Sequence, residues 1–117
     1  MVTNNDRVVE QFTSGYAVTF IEGEMKKVLL EARRLIHLGH VLLTHPLSGS
    51  VKPNENPFKS ILLTGQKSSL DERSLRIIEN ALITAEKFPI KYAFISPKTL
   101  EDFKTIDLSL ISGALIR

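Results

Sequence analysis

The stretch His40-Val-Leu-Leu-Thr-His-Pro-Leu-Ser-Gly-Ser-Val-Lys-Pro-Asn-Glu-Asn-Pro-Phe-Lys-Ser-Ile-Leu-Leu-Thr64 decides how this chain is read. Val41-Leu42-Leu43 and Ile61-Leu62-Leu63 are short continuous apolar runs, each closed by a threonine, as expected of central strands covered on both faces. Between them lies His45 to Pro57, whose three prolines forbid a regular helix. This connection is a loop, and loops this long in compact domains are often functional. Without a crossover helix, the strand after the loop is either antiparallel, as in a wide hairpin, or parallel through a helix-free crossover.

Outward from this stretch, helical and strand-like patterns alternate. On the N-terminal side, apolar residues at 25, 28, 29, 32, 35 and 36 form one stripe of a helix over Glu24 to Leu38, and Gly39 supplies its stop. Tyr16 to Ile21 is β-branched and aromatic and reads as a strand. Asn4-Asn5-Asp6 offers capping oxygens for a short helix through Val8, Val9 and Phe12, preceded by a clipped strand at Met1 to Thr3.

On the C-terminal side, Ser69 with Glu72 makes a capping-box pattern ahead of a helix carrying Leu75, Ile78, Leu82 and Ala85, stopped by Pro89. Ile90 to Ile95 reads as a strand, and Ser96-Pro97 as an N-cap followed by proline at the first helical position. The tail from Ile106 to Ile116 fits both a strand alternation and a helix, and the helix is preferred. The expected fold is a single α/β domain over residues 1–117, a three-layer sandwich with a mostly parallel central sheet.

Composition narrows the function classes. With 117 residues, 43% hydrophobic and 24% charged, the chain has the make-up of an ordinary packed domain. Fifteen Lys plus Arg against thirteen Asp plus Glu leave +2. The doublets Lys26-Lys27 and Arg33-Arg34 sit beside Glu24 and Glu31, so no clustered basic footprint for nucleic acid emerges. The absence of cysteine excludes disulfides, thiolate nucleophiles and cysteine-ligated metal. No cofactor is expected. Met1 to Asp6 lacks the regions of a signal peptide and no apolar run approaches ~18 residues, which predicts a cytoplasmic protein with no membrane partner.

In open α/β sheets, ligands bind beyond the carboxyl ends of the strands. The groups expected there are Thr3, Asn4, Asn5, Glu22, Thr44, His45 and Ser96, joined by Thr64 and Gly65 if the later strand is parallel, or by Lys59 and Ser60 if it is antiparallel. His45 is the candidate catalytic residue, a general acid or base whose ordinary pKa lies near working pH. It also suits the plainer task of bonding the loop backbone. Ser48, Gly49, Ser50 and Lys52 combine hydroxyls, a flexible backbone and a cation able to cradle a phosphate or carboxylate, although no P-loop pattern is present. Asn54 and Glu55 lie in a turn-forming run that could contact a partner. His40 and His45 bracket an apolar run about 17 Å long in extended form, too far apart to share a metal, and His37 with His40 lacks a third ligand. No metal site is expected.

The segment from Leu35-Ile-His-Leu-Gly-His through the loop to Ile61, together with the Thr3-Asn4-Asn5 start and the helix–strand order around it, resembles GrdX-type proteins. These are small proteins encoded beside the glycine, sarcosine and betaine reductase machinery of anaerobic bacteria. The resemblance implies an accessory role near amino-acid reduction, with His45, Ser48, Ser50, Lys52, Asn54 and Glu55 as site candidates without assigned roles. It also implies reductase components as partners. With no cysteine, the chain cannot itself carry the redox thiol or selenol of such a system.

The leading expectation is a non-redox accessory protein that binds a partner protein or a small anionic ligand through the 44–60 loop, with Thr3, Asn4, Asn5, Thr44 and Ser60 at its base. The rival is a small enzyme using His45, with Glu22 or Glu55, on an acyl or phosphoryl compound. A homo-oligomer formed through the exposed sheet ends is a further partner class.

Overall fold

The computed structural model describes residues 1–47, 56–87 and 95–115. In chain order the elements are β1 (Val2–Thr3), α1 (Asp6–Phe12), β2 (Thr19–Phe20), α2 (Met25–His37), β3 (Ser60–Ile61), α3 (Glu72–Lys87) and α4 (Pro97–Leu115). The sheet order is β2-β1-β3, with β2 parallel and β3 antiparallel to β1. Val2 faces Thr19 and Ile61 in register, and Thr3 faces Phe20 and Ser60.

The expected three-layer sandwich with a mostly parallel sheet is not the fold. Four helices carry the structure, and the sheet is a small mixed one of two-residue strands. The cause is visible around Val41 to Leu43. This run makes a single antiparallel bridge, Leu42 with Leu63, instead of a strand. Several of its backbone donors, and those opposite, are taken by hydroxyls: Val41 N–H donates to Thr64 Oγ1 at 2.9 Å, Leu42 N–H to Ser74 Oγ at 3.0 Å, and Leu62 N–H to Thr44 Oγ1 at 3.0 Å. Side-chain acceptors of this kind compete with ladder formation, so an apolar run flanked by Thr and Ser need not become a strand. The run from Tyr16 to Ile21 likewise pairs only at Thr19–Phe20. The strand expected over Ile90 to Ile95 falls outside the described residues, except for Ile95.

The helices follow their signals more closely. In α2, Met25, Val28, Leu29, Ala32 and Ile36 are buried at helical spacing and meet Ile78, Ala81, Leu82 and Ala85 of α3. Each fully buried large aliphatic side chain here contributes roughly 1.5–3 kcal/mol. Lys26–Glu86 at 2.9 Å and Arg33–Glu79 at 3.3 Å cross between the two helices, and Arg34 pairs with Glu31 at 2.7 Å, so both basic doublets are engaged with acids. Helix α2 ends in a Schellman arrangement: His40 N–H reaches Leu35 O and Gly39 N–H reaches Ile36 O, both at 3.0 Å, with Gly39 at φ 105°.

The cap of helix α3 lies two residues after the expected one. Asp71, not Ser69, accepts the Ser74 N–H at 3.0 Å. Helix α4 begins as expected, with Ser96 Oγ accepting the Thr99 N–H at 3.2 Å, and its C-terminal part is helical through Leu115.

Side chains alternate across a strand. Val2 and Ile61 therefore join the apolar cluster under α2, while Thr3 and Ser60 turn toward α4. The second face carries the chemistry.

Candidate functional site

The buried polar residues Thr3, Asn4, Asn5, Asn56, Lys59, Ser60 and Asp107 gather where β1 and β3 meet α4. Asp107 is the centre. Its Oδ1 accepts the Ser60 N–H at 3.0 Å, and its Oδ2 accepts the Ser60 hydroxyl at 2.7 Å and the Asn5 Nδ2 at 3.1 Å. Since the one Ser60 hydrogen goes to Asp107, the Thr3 hydroxyl donates to Ser60 Oγ at 2.7 Å, and Thr3 Oγ1 accepts the Asn5 N–H at 3.0 Å.

Each of the two asparagines uses both amide hydrogens and its amide oxygen. Asn5 Nδ2 also donates to Lys104 O at 2.9 Å, and its Oδ1 accepts the Arg7 N–H at 3.1 Å, capping α1. Asn4 Nδ2 donates to Gly23 O at 3.1 Å and Pro57 O at 3.0 Å, while Asn4 Oδ1 accepts the Lys59 N–H at 2.8 Å. Asn56 Nδ2 donates to Phe103 O at 3.0 Å, tying the segment before β3 to α4. Buried polar groups held this way fix one arrangement, because each lost partner leaves a costly orphan.

Beside this network lies a hollow of about 40 Å³ lined by Thr44, His45, Lys59, Ser60, Asp107, Leu110, Ile111 and Ala114. Burial pushes the Asp107 carboxyl above its ordinary range, despite the opposing hydrogen bonds from Ser60 and Asn5 and the charge of Lys59. Burial also lowers the Lys59 ammonium, with Asp107 opposing. Lys59 is 4% exposed, so its charge acts in a medium where it is weakly screened.

The ring of His45 is exposed, and its Nδ1 accepts the Leu47 N–H at 3.1 Å. A neutral ring accepting there carries its proton on Nε2, which is then its donor. Thr44 Oγ1 accepts from Leu62 N–H and retains its own hydrogen. The pocket wall is a set of donors around one carboxylate already engaged by its neighbours.

The structure brings Thr44, His45 and Ser60 together on this wall, with Thr3, Asn4 and Asn5 buried behind it. Ser48, Gly49, Ser50, Lys52, Asn54 and Glu55 lie outside the described residues. Glu22 is exposed. His40 turns away, its Nδ1 bonded to Thr64 O at 2.6 Å, and among the described residues no group of His, Asp or Glu is arranged to hold a metal ion. Among the same residues, no helix is long and apolar enough to cross a membrane.

Sequence reasoning missed Asp107 and Asn56, and tied Lys59 to an antiparallel strand, the direction β3 in fact takes. A signal for Asp107 was present: Phe103, Asp107 and Ile111 share one helical face, so an acid interrupts the stripe that docks on the sheet.

The family model described as GrdX-like protein matches residues 1–116. No curated protein and no solved structure matches the chain. The chain belongs to the GrdX-like family.

Proposed function

We propose that this member of the GrdX-like family is a cytoplasmic, non-redox accessory protein of glycine, sarcosine and betaine reductase systems that binds a small anionic ligand at the base of the 44–60 loop. One observation supports the reading: Lys59 is buried on the wall of a hollow that it shares with Thr44 and His45, both able to donate hydrogen bonds, and with Ser60 and Asp107, which are bonded to each other. A buried cation beside hydrogen-bond donors favours carboxylate or phosphate oxygens. The absence of cysteine fits a role that assists the redox chemistry of another protein.

The rival enzyme reading, with His45 as general acid or base on an acyl or phosphoryl compound, draws support from the place of His45 beside Ser60. It is weakened by the Leu47 N–H occupying Nδ1, which leaves the ring without a basic nitrogen to take a proton.

Thermal denaturation with inorganic phosphate and with acetate, against chloride at equal ionic strength, tests the proposal. A ligand at one hundred times its Kd adds ~2.7 kcal/mol, a shift of several degrees in Tm at this size. The expected result is a saturable rise that Lys59→Gln removes. If no oxyanion raises Tm while reductase components co-purify with the chain, a protein partner replaces the ligand.

A further inference from the structure

We infer that the hollow selects a short-chain monocarboxylate and rejects the zwitterionic amino acid of the same size, an inference that rests on the anion-binding reading above. Its volume of about 40 Å³ has room for only a few water-sized groups, since each needs ~10–15 Å³. That accommodates a carboxylate head with about one or two further carbons.

The two ends of the hollow differ in chemistry. Lys59, Thr44 and His45 form the donor end. Ile111, buried, with Ala114 and the exposed Leu110 of α4, forms an aliphatic wall with no hydrogen-bonding side chain. An alkyl carboxylate matches both ends at once, with its oxygens toward the donors and its methyl or ethyl group against α4.

An α-ammonium finds little to bond here. Among the described residues the only carboxylate on the wall is Asp107, and three of its roughly four acceptor positions are filled by Ser60 N–H, Ser60 Oγ and Asn5 Nδ2. Replacing a carbon-bound hydrogen by –NH₃⁺ therefore places three strong donors among donors and beside the Lys59 charge. Phosphate fills the donor end but leaves the aliphatic wall unmatched and must bring more charge into a buried site.

Calorimetric titration of the intact chain with acetate, propionate, glycine and inorganic phosphate at fixed pH and ionic strength separates these cases. Saturable binding of acetate or propionate is expected, with glycine weaker by about tenfold or more, as the desolvation of an unmatched charged group requires. Lys59→Gln should weaken the carboxylates by at least about tenfold. Ala114→Leu, which fills the aliphatic end without touching the donors, should remove propionate binding with the circular dichroism spectrum unchanged, and it holds the test open should Lys59→Gln fail to fold.

Glycine or phosphate binding more tightly than both carboxylates, or propionate affinity unchanged in Ala114→Leu, overturns this selectivity and leaves the anion site standing. Binding of none of the four overturns the anion site itself.

Discussion

Asp107 of α4 grips Ser60 of β3 through two atoms at once, taking its backbone N–H at 3.0 Å and its hydroxyl at 2.7 Å. A helix residue thereby completes the hydrogen bonding of a strand that is only two residues long. The contact also sets one wall of the hollow, so the stability of α4 docking and the shape of the candidate site depend on the same pair.

Removing the grip should be costly. Asp107→Ala strands the Ser60 N–H and the Asn5 amide and removes a carboxylate that opposes the buried Lys59 charge, which should cost about 3–5 kcal/mol. Ser60→Ala removes only the hydroxyl and should cost about 1–3 kcal/mol. Urea denaturation followed by circular dichroism measures both, and equal losses would show that Lys59 gains nothing from Asp107.

The pH dependence has a definite sign. The folded-state pKa of Asp107 is raised, so the native chain holds this proton more tightly than the unfolded chain does. The stability this group contributes is fully present below the ordinary carboxyl value of ~3.9 and is lost as pH rises through the raised value. The difference in unfolding free energy between the wild type and Asp107→Asn should therefore shrink as pH increases across that window. Lys59, lowered by burial, works on the alkaline side, where stability rises as pH passes its lowered value toward ~10.4. A wild-type-to-variant difference that grows with pH on the acid side would contradict the assignment.

Two glycines should respond in opposite directions to alanine. Gly39 lies at φ 105°, and a Cβ built there would sit 2.0 Å from Ser68 O, so Gly39→Ala should destabilise by about 1–3 kcal/mol. Gly113 lies inside α4, and a Cβ there meets nothing within 4 Å, so Gly113→Ala should stabilise by about 0.5–1 kcal/mol. Thermal denaturation reads both shifts.

The start of α3 offers a contrast between neighbouring residues. Asp71→Ala should cost about 1 kcal/mol through loss of the cap on Ser74 N–H, whereas Ser69→Ala should be near neutral. The reverse ranking, in the same denaturation assay, would restore Ser69 as the cap.

The helices were legible because periodicity over three or more turns averages out local exceptions. The stripe through Met25, Val28, Leu29, Ala32 and Ile36 and the stop at Gly39 are both found where the pattern put them. The sheet was not legible. Val41-Leu42-Leu43 has the composition of a buried strand, but the hydroxyls of Thr44, Thr64 and Ser74, the last lying 32 positions beyond Leu42, claim the backbone donors. That competition depends on tertiary approach and leaves no short-range trace.

The same division holds at the site. Thr44 and His45 were marked by their place after an apolar run, and Lys59 and Ser60 followed once the strand direction was known. Asp107 joins them only because α4 folds back across β3, a long-range event recorded in sequence by a single acid within an apolar stripe.

Binding of a small carboxylate beside Lys59 is open to direct observation. A titration of the isotopically labelled chain with propionate, followed by amide chemical shifts, tests it most directly. Saturable shifts are expected, concentrated at Thr44, His45, Lys59, Ser60 and the Leu110–Ala114 turn of α4 and fitting one dissociation constant. Saturable shifts centred elsewhere, for example around the groove between Phe20 and Phe58, or none at all with propionate in large excess, would contradict it.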